Sequence, residues 1–83
     1  MTTIEKEITF FLRQRGLWEE EAKIVIEEMK NKGSAVPTDL KWGSNVDDYP
    51  TGALRILKTA AKRAALNYID HKAPKHWARG NFE

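Results

Sequence analysis

Basic side chains are concentrated in residues 51–83, which contain seven lysines and arginines but only two acidic residues. Arg55, Lys58 and Lys62 are three and four positions apart, which places them within about 60° of one another on a helix. Arg63 lies on the same polar side. Such a cluster needs solvent, carboxylates or a bound anion to neutralise it, so we predict a site for a phosphate-bearing ligand. Pairing with glutamates of the preceding helix is the alternative explanation.

The C-terminal residues 71–83 interleave basic and aromatic side chains, among them Lys75, Trp77 and Arg79. Cations beside aromatic rings can bind a phosphate and stack on a base. We expect Arg79 to make a bidentate contact with phosphate, a geometry that lysine cannot reproduce. The alternative is a tail whose basic residues stay solvated, and in either case we expect Trp77 and Phe82 to be largely buried in the core.

Residues 33–50 have the composition of turns, yet they contain apolar side chains that a disordered linker lacks. A loop of this length packs through its own side chains or binds a ligand. Trp42 and Tyr49 therefore either cover the core or stack on a ligand beside the basic helix. As stacking partners we expect Trp77, Trp42 and Tyr49 in that order, because Trp77 is nearest in sequence to the basic residues of the tail.

The sequence contains no arrangement of side chains that is typical of catalysis or of a metal site. It has no cysteine, which excludes disulfides and a zinc–thiolate site. Asp70, His71 and His76 match no common spacing of metal ligands. The adjacent carboxylates Asp47 and Asp48 point apart and are typical of helix caps. We therefore expect a protein that is not an enzyme and that uses no metal or cofactor.

The length of 83 residues predicts a single domain, residues 1–83, with a small core. No apolar run is long enough to cross a membrane, and the first residues lack the pattern of a secretory signal, so we expect a cytoplasmic protein. Acidic residues outnumber basic ones in residues 1–50, and the reverse holds in residues 51–83. This division favours an anionic ligand or head-to-tail association of copies. Charge pairing within one chain is the alternative.

Apolar periodicity predicts an all-α fold with three helices, a long structured loop before the third helix and a packed C-terminal tail. The first helix begins after a cap at Thr2 or Thr3, with Glu5 placed as in a capping box, and ends at Gly16. The second helix covers residues 18–31. Two stripes of side chains are expected to face the core: Ile4, Ile8, Phe11 and Leu12 from the first helix, and Trp18, Ala22, Val25, Ile26 and Met29 from the second.

The third helix is predicted to have Pro50 in its first position and Asp48 nearby as a cap, and to end before Pro74. Its inward side chains are expected to be Leu54, Leu57, Ala61, Ala64 or Ala65, and Tyr68. Leu66 and Ile69 lie one turn after the basic cluster on the same side of the helix, so this part of the helix would be apolar nearly all round. In so small a chain the expected cover is another copy, which predicts a homo-oligomer with the third helix at the contact.

A set of motifs in the C-terminal half resembles a known group of proteins. The motifs are Asp48-Tyr49-Pro50, the alanine-rich helix, Tyr68-Ile69-Asp70, Pro74, Trp77, Arg79 and Phe82. With them the chain resembles small phage-encoded helical proteins of uncharacterised chemistry. This resemblance implies an inhibitor of host defence that acts in the host cytoplasm, by binding a defence protein or by sequestering a nucleotide signal. Helical sponges for cyclic oligonucleotides are similar in size and in having a proline before a near-terminal phenylalanine, but none of their site residues carries over.

Two classes of function are therefore open. The first is a homo-oligomer that sequesters an anionic, nucleotide-type ligand. Its candidate ligand-binding residues are Arg55, Lys58, Lys62, Arg63, Lys75, Trp77, Arg79, Trp42 and Tyr49. The second is a protein–protein inhibitor of a host defence or nucleic-acid enzyme, docking through the acidic second helix or through exposed apolar residues. Sequence-neutral binding of nucleic acid requires only the basic C-terminal part, and it would depend strongly on salt.

Overall fold

The computed structural model describes residues 2–33 and 35–83. These residues form three α-helices and two short 3-10 helices: α1 (Ile4–Gln14), α2 (Glu19–Asn31), α3 (Ala53–Lys72), and the 3-10 helices Val46–Asp48 and Trp77–Asn81. Each α-helix contacts the other two, and no strand occurs in the described parts of the chain. The predicted all-α fold is confirmed.

The start of α1 is fixed by Thr3, whose hydroxyl accepts a hydrogen bond from the backbone N–H of Lys6 at 3.2 Å. Glu5 forms an ion pair with Lys30 of α2 at 3.4 Å, so the carboxylate serves contact between helices. The turn after α1 contains Gly16 with φ of 106°, where a Cβ atom would lie 2.8 Å from the Cβ of Ala78. Glycine is therefore required both for the turn and for close approach of the C-terminal tail.

The inward stripe of α2 is confirmed for Ala22, Val25, Ile26 and Met29, and it is wrong for Trp18. Trp18 has extended backbone just before the helix, and its side chain is 69% exposed. The adjacent Leu17 is buried in the core instead. Helical spacing does not apply to Trp18 because α2 begins one residue later.

The third helix begins later than predicted, at Ala53. Pro50 precedes a turn in which its carbonyl accepts from the N–H of Ala53 at 3.0 Å. Gly52, with φ of 87°, is the residue before the helix, and Asp48 belongs to a separate 3-10 helix. The predicted cap at Asp48 is therefore wrong, because this turn separates it from α3.

The apolar side chain of Ile69, which follows the basic cluster on α3, is not at the surface but fully buried within the chain. Tyr68 donates a hydrogen bond to Glu21 of α2, and the tail residues Ala78 and Phe82 belong to the same core. The second half of α3 is thus covered by α2 and the tail. The sequence analysis expected another copy to cover Ile69. Because Ile69 is already covered within one chain, its apolar side chain gives no reason to expect association.

The loop between α2 and α3 covers the core and completes the start of α1. The carbonyls of Ser44 and Trp42 accept from the N–H groups of Ile4 and Glu5 at 2.8 and 2.9 Å, respectively. These N–H groups have no partner inside a helix, so the loop satisfies them. Tyr49 is buried, and its hydroxyl donates to the carbonyl of a loop residue 2.9 Å away.

The C-terminal tail is packed, as predicted, but through a different set of side chains. Phe82 is buried, which confirms the prediction for this residue. Trp77 is 79% exposed, so its predicted burial is wrong. His76 faces inward instead and contacts the carboxylate of Glu21 with its Nε2 atom at 2.8 Å. This polar contact orients the 3-10 helix Trp77–Asn81 so that the side chain of Trp77 points outward.

Candidate functional site

The cationic groove is a cleft of about 420 Å³ between α1 and the first half of α3. Its walls include Phe11, Arg15, Leu54, Arg55, Lys58 and Lys62. Three of the four basic residues predicted on the third helix therefore line one concave surface. The spacing within α3 explains this, since positions separated by three and four residues share one helix face. The opposite wall is supplied by α1, which the sequence did not predict.

Contacts with α1 hold two of the cations in place. Lys58 Nζ lies 3.5 Å from a carboxylate oxygen of Glu7 and 5.5 Å from the ring centroid of Phe11. The guanidinium of Arg15 lies 4.7 Å from the same ring centroid, and its Nη1 donates to the carbonyl of Asn81 at 2.7 Å. The contacts of Lys58 and Arg15 with the ring of Phe11 both have the geometry of cation–π interactions. The intrachain partner of Lys58 is thus Glu7 of α1, where the sequence had indicated a glutamate of α2.

The other two cations of the groove carry uncompensated charge. Arg55 is exposed and Lys62 is half-buried, and neither has a carboxylate within ion-pair distance among residues 2–33 and 35–83. With Arg15 and Lys58, they place four positive charges around the cleft, and among the described residues only Lys58 of these four forms an ion pair, with Glu7. A concave surface lined by one sign of charge attracts ions of the opposite sign. The charge of the groove therefore favours an anion over a cation.

The remaining basic residues of the predicted site lie elsewhere. Arg63 is on the side of α3 that faces α2, outside the cationic groove. Arg79 Nε donates to Asp70 Oδ1 at 2.7 Å, and its guanidinium also pairs with Glu83. Lys75 is exposed on the tail. The structure does not bring these side chains to the groove.

The predicted stacking residues are also separate from the cationic groove. Tyr49 and Trp42 pack against the core on the loop, and Lys30 Nζ lies 5.8 Å from the ring centroid of Trp42. Trp77 is on the tail. The aromatic residue of the groove is Phe11, which the sequence placed only in the inward stripe of α1. Its position four residues before Arg15 is the signal that could have indicated a shared surface.

A buried carboxylate, which the sequence analysis did not single out, joins α2, α3 and the tail. Glu21 Oε1 accepts from the backbone N–H of Trp18 at 3.0 Å, and Oε2 accepts from the hydroxyl of Tyr68 at 3.2 Å. His76 Nδ1 accepts from the N–H of Ala78 at 3.1 Å. The hydrogen of a neutral imidazole is then on Nε2, which donates to Glu21 Oε1 at 2.8 Å. Both ring nitrogens are engaged, which makes this arrangement structural.

The hydrogen bonds to Glu21 determine the protonation of the cluster. Burial raises the pKa of Glu21, but hydrogen bonds from Trp18, His76 and Tyr68, with the electrostatic interaction with His76, outweigh that effect and hold the pKa below its ordinary value of 4.5. Burial and the adjacent negative charge of Glu21 raise the pKa of the Tyr68 hydroxyl. The carboxylate is therefore ionised and the phenol neutral at neutral pH, which is the state that their hydrogen bond requires.

Two exposed tryptophans flank this cluster and form the aromatic patch, defined as Trp18, His76 and Trp77. The ring centroids of Trp18 and His76 are 6.4 Å apart, and those of His76 and Trp77 are 6.5 Å apart with nearly parallel rings. Glu21 accepts hydrogen bonds from both the backbone of Trp18 and the ring of His76, so it joins two members of the patch. Two sequence features could have indicated this arrangement: Glu21 follows Trp18 by three residues, and His76 is next to Trp77.

Comparison with known proteins yields no match to a family model, a curated protein or a solved structure. No group of three or more histidine or carboxylate side chains in the described part of the chain could hold a metal ion. Within residues 2–33 and 35–83, none of the helices combines the length and apolar character needed to cross a bilayer.

Proposed function

We propose that this chain is a non-enzymatic binding protein that holds an anionic, phosphate-bearing ligand of the nucleotide type in the cationic groove. The observation that carries the proposal is the convergence of Arg55, Lys58 and Lys62 on one cleft, where only Lys58 pairs with a carboxylate in the described parts of the chain. Three like charges at this spacing repel one another, and a phosphate would relieve the repulsion.

The groove offers complementary contacts to the two parts of a nucleotide. Arg55 can bind a phosphate through two parallel N–H groups, and Lys62 can add a point charge. Phe11 and Leu54 supply apolar surface for a sugar or base. The groove volume of about 420 Å³ lies in the range typical of small-molecule sites.

Sequestration is the mode of action that we propose for such a protein. A binding site without catalytic groups lowers the free concentration of its ligand and leaves the ligand intact. This role agrees with the resemblance of the C-terminal half to phage-encoded proteins, for which inhibition of host defence is implied. The proposed ligand is then a nucleotide signal of the host.

Calorimetric titration at low salt tests the proposal. The probes are inorganic phosphate, AMP, a cyclic dinucleotide and a short single-stranded DNA. We expect binding of a nucleotide to weaken about tenfold or more in Lys62→Glu, which corresponds to about 1.4 kcal/mol. The matched control is Lys41→Glu, which makes the same charge change on an exposed loop residue that does not line the groove.

Three outcomes would overturn the anion site. One is the absence of heat with every probe at low salt, and another is equal affinity in Lys62→Glu and Lys41→Glu. The third is binding of the DNA alone with a steep dependence on salt, which would indicate sequence-neutral binding of nucleic acid. Circular dichroism of both variants checks that their helical content is that of the unmodified chain.

A protein partner is the second candidate, and the aromatic patch favours it. Trp18 and Trp77 are 69% and 79% exposed, respectively, and tryptophan is among the residue types that dominate binding energy at protein interfaces. Glu21 fixes the Trp18 backbone and the His76 ring beside both tryptophan rings, which reduces the conformational freedom that binding would cost. This candidate predicts that Trp77→Ala abolishes binding of a purified partner and leaves nucleotide titration unchanged. Loss of nucleotide binding in that variant would contradict the separation of the two surfaces.

A further inference from the structure

A second concave surface, the apolar groove, lies between α2 and α3 on the side away from α1. It has a volume of about 780 Å³, and its apolar lining includes Met29, Ile56, Ala60 and Ala64. Ile56 is 64% exposed, although it is one of the larger apolar side chains of α3. The small alanines leave room for a side chain to insert beside it. An exposed apolar surface of this kind is typical of an interaction site.

Basic residues stand on both edges of the apolar groove. Lys32 approaches from the end of α2, whereas Arg55 and Arg63 come from α3. The acidic residue of the lining is Glu28, whose carboxylate pairs with Lys72 and is neutralised within the chain. The groove therefore favours an occupant that is apolar in the centre and acidic at its edges.

The chain itself has a surface of this description on the outer face of α2. The acidic ridge is defined as Glu20, Ile24 and Glu27, which share one helix face at spacings of four and three residues. All three are exposed, and Ile24 is 42% exposed at the centre of the ridge. Glu27 pairs with Lys30 at 3.6 Å, but an exposed pair of this kind contributes little and can exchange partners.

We propose that the acidic ridge of one copy of this chain seats in the apolar groove of a second copy. Ile24 would contact Ile56 and the alanines, while Glu20 and Glu27 would meet the basic edges of the groove. The dimensions agree, because the ridge is about 10 Å long and the α3 wall from Arg55 to Ala64 is about 14 Å long at 1.5 Å per residue. The contact joins two exposed apolar residues that the fold of one chain leaves uncovered.

The charges also distinguish this contact from a symmetric one. If two apolar grooves faced each other across a two-fold axis, Arg55 and Arg63 of both copies would be brought together. Like charges that face each other at an interface are strongly unfavourable. The ridge and the groove share no residue, so each copy can use both at once. The contact is therefore head-to-tail, and it produces a closed ring or a filament.

Two single substitutions and their mixture test the contact in analytical ultracentrifugation. Ile24→Lys removes the ridge and Ile56→Glu removes the groove, and both side chains are exposed, so both variants should fold. We expect the unmodified chain to assemble at micromolar concentration and each variant to be monomeric. An equal mixture should form a complex of two chains, because the ridge of Ile56→Glu can still seat in the groove of Ile24→Lys.

The matched control is Trp77→Glu, which replaces a larger exposed apolar residue outside both surfaces and should leave assembly unchanged. A monomeric unmodified chain, an assembly that persists in Ile24→Lys, or a mixture that stays monomeric would each overturn the proposal. Assembly lost in Ile56→Glu and kept in Ile24→Lys would indicate a symmetric contact of two grooves, which also contradicts it. Arg55 lines both grooves, so nucleotide titration is done with Ile24→Lys, in which the cationic groove is intact and the contact between copies is absent.

Discussion

The carboxylate of Glu21 joins three parts of the chain, and its removal should destabilise the fold far more than removal of a neighbouring acid. It accepts hydrogen bonds from the backbone of Trp18, the hydroxyl of Tyr68 and the ring of His76. In Glu21→Ala all three donors lose their acceptor at once. The rings of Tyr68 and His76 are largely buried, so water replaces the missing acceptor poorly.

The expected loss follows from the kind of contact that is removed. Removing the acceptor of a buried hydrogen bond leaves its donor unsatisfied, which costs about 1–3 kcal/mol for each donor. The three hydrogen bonds share one acceptor, so their contributions of about 1.5–3 kcal/mol each are not additive. We therefore expect the free energy of unfolding to fall by about 3–5 kcal/mol. A chain of this length has about 4–12 kcal/mol in total, so the loss is a large share of its stability.

Urea denaturation followed by far-ultraviolet circular dichroism measures this loss, and the fluorescence of Trp18, Trp42 and Trp77 is a second probe of unfolding in the same samples. The control is Glu19→Ala, an exposed acid in the same first turn of α2 that lies outside the acidic ridge. It removes only the interaction with the helix dipole, about 0.3–1 kcal/mol. A loss in Glu21→Ala that is no larger than the loss in Glu19→Ala would refute the structural role of the buried carboxylate.

Three further predictions use the same denaturation assay. Phe82→Ala should lower the free energy of unfolding by about 3–5 kcal/mol because its ring is buried, whereas Trp77→Ala should change it by less than about 0.5 kcal/mol; equal losses would contradict the orientation of the tail. Gly16→Ala should destabilise by about 1–3 kcal/mol, because φ is 106° and the new Cβ meets Ala78; an unchanged midpoint would contradict this contact. Burial raises the pKa of Glu21, but its hydrogen bonds hold it below 4.5, so stability should be full above pH 4.5 and fall as the pH drops through the folded-state pKa. Glu21→Gln should flatten this acid dependence, and an unaltered profile in that variant would count against it.

The α-helices could be predicted from sequence because their signals are local. Ile4, Ile8 and Leu12 repeat on one helix face, and all three are buried as their spacing predicts. Gly16 and Gly33 mark breaks at which the backbone adopts positive φ. Each of these signals depends on residues within a few positions of one another.

The orientation of residues beside helix ends could not be predicted in the same way. Hydrophobicity favoured inward positions for Trp18 and Trp77, yet both are exposed, while Leu17 and His76 face inward. A shift of one residue in the start of a helix rotates a side chain by about 100°, so spacing decides little at a boundary. The position of His76 depends on Glu21, which is 55 residues away in sequence.

The residues of the candidate sites could likewise be predicted only where they belong to one helix. Sequence alone determined that Arg55, Lys58 and Lys62 share a face, because all three belong to one helix of known pitch. Only the tertiary structure decided that Phe11 and Arg15 of the α1 region form the opposite wall, and that Arg63, Arg79 and the predicted aromatic residues lie elsewhere. Helix geometry relates neighbours in sequence by fixed angles, whereas the contact of two helices depends on packing between side chains that are distant in sequence.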